Sequence, residues 1–533
     1  MSSLGMSNDQ IGNNASDAIA PNAYRLLWAG FMAILAAGVG FSVRGGILGQ
    51  WANQFGFSMT ELGLITGGGL TGFGIVIILS SLIADKVGYG KLMMGAFLCH
   101  VASAVLTYMA PAAFLSGGKE AAFSCLSWGM FLFAVGNGFC EAVVNPLTAT
   151  LFPKNKTHYL NILHAGWPAG LVLGGLASFF MSEVRDGENI VRAAVDWKIQ
   201  MSLFMIPVIA YGIMVFGQKF PKSEAASAGI SIGEMVGTLL APLMIFLLLI
   251  HAMVGYVELG TDSWISKITG SIMNNPAYGL ALFVYTSSLM FALRFVAGPI
   301  VHKISPLGLL FVSGILGATG LTLLGNATTT QACIVAATVY ALGKTFLWPT
   351  MLGVVSEQFP KGGAIAIGML GGAGMLSAGL LGGPAIGFKQ DFHASAKLAE
   401  TKDTFDRYKA AAPSTFLGFQ AAGLDGAKVG VLENGGQELD RDVKLVAEGK
   451  LADEKGNVKA LADWWSTAKV TADADKKPVG EAGVFGGKMA LKLTAYIPAT
   501  MALCYLLLIL YFKAKGGYKA LNVEEEIAAE GSH

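Results

Sequence analysis

Stretches of about 20 mostly apolar residues recur along this chain, and that recurrence narrows the folds open to it. A helix needs about that length to cross the hydrocarbon of a bilayer. Inside hydrocarbon every backbone N–H and C=O must also find a partner within the protein. Twelve such stretches are read, at 24–48, 60–84, 91–111, 123–151, 159–182, 197–217, 236–259, 276–300, 306–326, 329–355, 363–388 and 487–512. The fold class expected is therefore an all-α membrane protein with 12 transmembrane helices. Composition agrees, with 13% of residues charged against about 25% in soluble domains. The 70 glycines suit a bundle in which small residues let helices approach closely.

The segments between the stretches set the organisation. Residues 1–22 are polar, lack a signal-peptide pattern and are read as a disordered tail. Residues 23–217 hold the first six stretches, and 218–233 are a linker. Residues 234–388 hold the next five, 389–486 are a polar insert, 487–512 the last stretch and 513–533 a second tail. Ser58 and Glu61 have capping-box spacing before the second stretch. Lys and Arg gather in one set of short loops, which includes Lys86, Lys154, Lys156, Lys222, Lys303 and Lys361. Loops of that kind face the cytoplasm. Both termini are accordingly expected there, and the insert outside. The tandem Trp464-Trp465 of the insert is read as packing rather than as a sugar platform.

A few polar residues interrupt the apolar stretches, and such residues usually face a cavity or a partner and mark substrate or ion pathways. Glu141 stands first, in Gly136-Asn137-Gly138-Phe139-Cys140-Glu141-Ala142-Val143-Val144-Asn145-Pro146. Asn145 lies one helical turn on, on the same face. Arg44, Glu258, Asp262, Lys344, Asn161 and His164 complete the set. Arg44 is expected to neutralise Glu141 or Glu258, because a lone buried Arg is costly. Trp167, Trp348, Trp264, Tyr256 and Phe41 are candidate stacking surfaces.

The chain also repeats itself, which is a signature of transport proteins. Ala134-Val135-Gly136 through Phe152-Pro153-Lys154 matches Ala341-Leu342-Gly343 through Phe359-Pro360-Lys361, at an offset of 207. Ile83-Ala84-Asp85-Lys86-Val87 matches Ile300-Val301-His302-Lys303-Ile304 at an offset of 217. A 6+6 arrangement follows, with Glu141 falling opposite Trp348.

Ala84-Asp85-Lys86-Val87-Gly88-Tyr89-Gly90-Lys91 resembles the cytoplasmic loop motif of the major facilitator superfamily. Within it, the stretch from Gly136 to Pro146, Leu160-Asn161-Ile162-Leu163-His164, Arg294 to Pro306, Phe346-Leu347-Trp348-Pro349-Thr350 and Tyr256 to Gly260 resemble segments of the fucose–galactose–hexose symporter group. The insert lies outside the resemblance. The group's first-helix acidic residue has no counterpart here either; the polar residue in that region is Arg44.

The resemblance implies a secondary transporter of a monosaccharide in the inner membrane, working by alternating access. It also implies a proton as coupling ion, with sodium as the alternative. Glu141 and His164 would couple the proton. Asn145, Asn161, Trp167, Tyr256, Glu258 and Trp348 would bind the sugar; Arg44 and Lys344, which depart from the group's pattern, are further candidate substrate ligands. Asp85, Lys86 and Arg294 would gate.

No cofactor, no nucleic-acid partner and a monomer are expected. The formal charge of +1 gives no basic face for nucleic acid. The five cysteines lack metal spacing, and no P-loop, HExxH or Ser-His-Asp pattern argues for an enzyme. Two alternatives stay open: a small organic anion held by Arg44 and Lys344, and a membrane-anchored sensor whose insert is the binding part.

Overall fold

The computed structural model describes residues 20–55, 57, 62, 64–66, 69–182, 184–186, 189–448, 453, 456–530. The first tail as far as residue 19 and the Ser58/Glu61 cap lie outside the described residues. Among those described, eleven helical runs are long and apolar enough to cross a membrane. They bury one continuous apolar core and leave Leu79, Leu98, Phe131, Leu173, Ile209, Leu249, Val335 and Leu507 exposed along their outer faces. A soluble protein rarely shows so much exposed apolar surface; a lipid-facing one does.

The count of eleven differs from the expected twelve at one place. The expected third and fourth stretches join in a run from Tyr89 to Leu151, which is 63 residues long and broken at Gly118 (φ 69°, ψ −161°). That conformation favours glycine, which has no Cβ to clash. The run lacks an intervening loop because the residues around Gly118 keep helical backbone.

Several boundaries also move outward. The first helix runs unbroken from Ala23 to Phe55, past Arg44. The seventh continues to Ile272 through a widened π-type turn at Tyr256–Gly260. Residues 260–272 carry Thr, Asp, Ser and Lys, so apolarity alone ends the stretch too early. Their main charge is neutralised inside the bundle, where Lys344 pairs with Asp262. Local chemistry sets other ends: Pro242 and Pro276 stand in the first turns of their helices, and Asn275 and Thr329 cap by accepting from Ala277 N and Ala332 N.

The linker is partly helical. Ser231 and Glu234 form a capping box at Ile232–Gly237, and these bonds hold the exposed Glu234 carboxyl below its usual value. The insert is ordered around its own small core of Leu398, Tyr408, Val431, Leu432, Leu439, Trp465 and Val479. Its walls are extensions of membrane helices: Gly383–Leu398 runs past residue 388, and Ala472–Thr494 begins before 487. Asp475 ties the cap together, accepting from Thr404, Thr471 and Arg407. Trp465 is in that core and Trp464 packs edge-on against Tyr408 at 5.4 Å, so the tandem indoles are packing residues.

Helix pairs that join the halves include Gly69–Val87 on Gly363–Ser377, Gly166–Met181 on Pro276–Arg294, and Lys156–His164 on Leu347–Gln358. Between these pairs lies the polar centre.

Candidate functional site

Glu141 projects from a helix that buries nearly every residue from Gly136 to Thr148. Its only hydrogen-bonding neighbour among the described residues is one turn away. Asn145 Nδ2 donates to Glu141 Oε2 at 2.6 Å and also to the Glu141 carbonyl at 3.1 Å. With its NH2 so engaged, Asn145 presents Oδ1, which lies 2.8 Å from His164 Nε2. In this arrangement His164 donates through Nε2–H. Glu141, Asn145 and His164 thus form a continuous buried hydrogen-bonded line across two helices.

Arg294 stands at the end of that line for a backbone reason. The fifth helix is interrupted at Ala165 and the tenth at Thr345–Phe346, which frees carbonyls in the bundle interior. Arg294 donates to both sets: Nη1 to His164 O at 2.5 Å and Nε to Thr345 O at 2.9 Å. Its Nη2 pairs with Glu258 Oε1 at 2.8 Å. One guanidinium thereby links the N-terminal half to two helices of the other half. The fork geometry of Arg suits this and a Lys would not reproduce it. Arg294, expected beside Asp85 and Lys86 at a gate, is placed in the centre.

The other charges pair differently from the sequence expectation. Arg44 reaches neither Glu141 nor Glu258. It bonds Gly40 O and Ser103 Oγ, both at 3.3 Å, and its guanidinium sits 3.7 Å from the Phe133 ring centre. It has no carboxylate partner among the described residues. The aromatic face takes the role expected of a carboxylate. Lys344 pairs with Asp262 and not with Glu141.

Trp348 is buried against His251, with ring centres 4.6 Å apart. Trp167 is half-buried and packs on Phe41 at 5.5 Å. Trp264 is anchored by Nε1 to Gly383 O, and the Tyr256 hydroxyl accepts from Lys389 at 3.0 Å. Asn161 donates to Thr157 O and to Thr350 Oγ1 across the halves.

Asp85 lies beside Tyr89 and Ser223, with Oδ2 facing Gly363 of the other half, and Lys86 is exposed. At this same end Thr157 donates to Glu357 Oε1 at 2.7 Å, and Lys156 Nζ reaches Ser356 O at 3.1 Å. The second tail closes over them: Tyr518 donates to Glu357 Oε2 at 2.7 Å.

Three residues were passed over in the sequence. His251 is central, Glu357 bridges the halves, and Lys389 holds Tyr256. An ionisable residue inside an apolar stretch was the signal for the first.

The sequence profile of the Major Facilitator Superfamily matches residues 30–383. The chain belongs to the major facilitator superfamily. It is a membrane transporter, not an enzyme. By sequence alone, no curated protein matches it. Solved structures of other superfamily members do. The transporter FucP in the outward conformation is 15% identical, with 68% of this chain and 91% of that chain covered and a TM-score of 0.55. A bacterial homologue of the human lysosomal transporter Spinster, inward-facing and unoccupied, is 14% identical over 92% and 97%, with a TM-score of 0.57. The proton:xylose symporter XylE bound to 6-bromo-6-deoxy-D-glucose is 14% identical over 68% and 87%, with a TM-score of 0.55. At these identities the likeness is one of fold. In this superfamily member, the polar centre lies where the two halves face each other.

Proposed function

We propose that this superfamily member is a secondary active transporter that carries a monosaccharide through the polar centre by alternating access, with Glu141 as the proton carrier. The observation that carries the reading is the line Glu141–Asn145–His164 ending at Arg294 and Glu258 between the halves. A carboxyl with no cation bonded to it is free to exist in neutral and charged forms. Asn161, whose Oδ1 is without a partner, and the Trp348 indole supply what a sugar needs, a hydroxyl partner and an apolar face. The fold likeness to FucP and XylE supports a solute of this size class and leaves its chemistry to the site.

In this reading the break at Gly118 separates two crossings, so that the eleven runs make twelve helices. Both termini are cytoplasmic in the inner membrane, the insert is outside, and the chain works as a monomer. Asp85 and Lys86 gate the cytoplasmic end, together with Thr157 and Glu357. Asn161, Trp348, Trp167, Tyr256 and Glu258 line the solute path.

A small organic anion is the second reading, and Arg44 favours it because that buried cation lacks a carboxylate partner among the described residues. Lys344, spent on Asp262, does not. Uptake into vesicles containing the purified chain decides between them. A sugar panel and a carboxylate panel are presented with pH and sodium gradients imposed separately. Accumulation of a monosaccharide under a pH gradient is expected. Accumulation of carboxylates alone overturns the sugar reading, and drive by sodium alone overturns the proton. Uptake that persists after deletion of residues 402–470 counts against a sensor role for the insert.

A further inference from the structure

Seven histidines occur in the chain, and three are fully or almost fully buried in membrane runs: His100, His164 and His251. Two of them are bonded. His100 contacts Tyr211 and Asn137 through its two ring nitrogens, and His164 contacts Asn145. His251 is 0% exposed and neither Nδ1 nor Nε2 has a partner. A neutral imidazole brings one donor and one acceptor, and leaving both unmet away from water is strongly disfavoured.

The ring is held in place by its carbon edges. Trp348 packs against it at 60°, and a Cβ on Gly374 would lie 2.9 Å from its Cδ2.

Two further groups, one from each half, are half-used. Asn161 spends its NH2 on Thr157 and Thr350, two residues beyond Trp348, and leaves Oδ1 without a partner. Glu258 gives Oε1 to Arg294 and leaves Oε2 without a partner. The unmet set is one imidazole, one amide oxygen and one carboxylate oxygen, and it spans both halves of the bundle. It is rich in acceptors. No group of His, Cys, Asp and Glu that could hold a metal occurs among the described residues. The cation nearest to Glu258 is already bonded. A polyhydroxylated solute matches such a set, because each O–H donates to an acceptor and its oxygen can still accept from an imidazole N–H.

We propose that His251 is a ligand for the solute: with Asn161 and Glu258 it receives separate hydroxyls around the ring of a sugar whose apolar face lies on Trp348. This rests on the monosaccharide reading and adds the residue that sets its hydroxyl selectivity. A solute bonded to Asn161 on one side and to His251 and Glu258 on the other touches both halves. Its binding is thereby sensitive to how they are arranged.

The test uses the full chain in vesicles. For His251→Phe the KM for the transported sugar rises tenfold or more, equivalent to about 1.4 kcal/mol per tenfold, while kcat stays within a few-fold. His251→Gln, which keeps a donor and an acceptor, recovers part of the loss. In the wild type, one monodeoxy sugar shows the same tenfold penalty, and His251→Phe no longer distinguishes it from the parent sugar. Thermal unfolding in detergent identifies a variant that has simply lost its fold, and the deoxy series on the wild type then decides. Sugar transport with unchanged KM in His251→Phe, or no penalty for any monodeoxy sugar in the wild type, overturns the role of His251 alone. Absence of sugar uptake by the wild type overturns the monosaccharide reading and this role with it.

Discussion

Arg294 and Glu258 pair at 2.8 Å in the interior of the bundle, with side chains 1% and 4% exposed. Removing one partner of such a pair strands the other charge, at a cost of about 3–5 kcal/mol. Arg294→Ala is expected to lower stability by about that much and to abolish uptake. Replacing both partners by apolar residues (Arg294→Met with Glu258→Leu) recovers most of the stability and none of the uptake. Thermal or denaturant unfolding in detergent, beside vesicle uptake, checks both. Wild-type stability in the single variant would mean that the pair is not closed in the bilayer.

Glu141→Gln keeps the hydrogen bond with Asn145 and removes the ability to release a proton. Exchange of labelled for unlabelled solute is expected to stay within a few-fold of wild type. Accumulation driven by a pH gradient is lost. Full pH-driven accumulation in this variant would remove Glu141 from the coupling step.

Gly255 packs its Cα face on the backbone of Gly374, and an added Cβ would overlap Gly374 O. Backbone cannot move aside as a flexible side chain would. Gly255→Ala is expected to cost about 1–3 kcal/mol, with loss of uptake. Gly45, which has open space around it, tolerates the same change without loss. Melting curves for the two variants separate the cases.

Glu357 accepts from Thr157 of one half and from Tyr518 of the second tail. Glu357→Ala is expected to loosen this end and to shift the halves apart. Spin labels at the exposed positions 155 and 303, in a cysteine-free background, report the separation. A distance distribution identical to wild type would show that this contact does not hold the halves.

Trp465 sits in the core of the insert. Trp465→Ala is expected to destabilise that unit by about 3–5 kcal/mol and to expose residues 402–470 to protease. Uptake stays near wild type if the cap is an accessory. Loss of uptake with the helices still folded would place the insert in the transport path.

Much of this was legible from the sequence because apolarity over about 20 residues is a local property that bilayer thickness makes decisive. The spans were readable that way, the superfamily from the resemblance carried by Ala84 to Lys91 and the half-repeat, and Glu141 with Asn145 from their spacing on one helix face. The ends were less so. Asp262 and Lys267 make the end of the seventh helix look like a loop, and only Lys344, 82 residues away, shows why the helix continues. The polar run Ser116-Gly117-Gly118-Lys119-Glu120 marks a break between the third and fourth stretches, and only the structure shows that it is confined to Gly118 within helical backbone.

Charge pairing was the least legible feature. The sequence determined that Glu141, Arg44, Glu258, Lys344 and Arg294 would all lie in or beside hydrocarbon, and that none could remain without some partner. It did not determine which partner, because a buried charge is satisfied by whatever the fold brings within about 3 Å. Only the tertiary structure decided that Arg44 faces Phe133, that Lys344 takes Asp262, and that Arg294 joins Glu258 to the carbonyls freed by two helix breaks. Glu141 was thereby left with Asn145 and His164 and without a bonded cation.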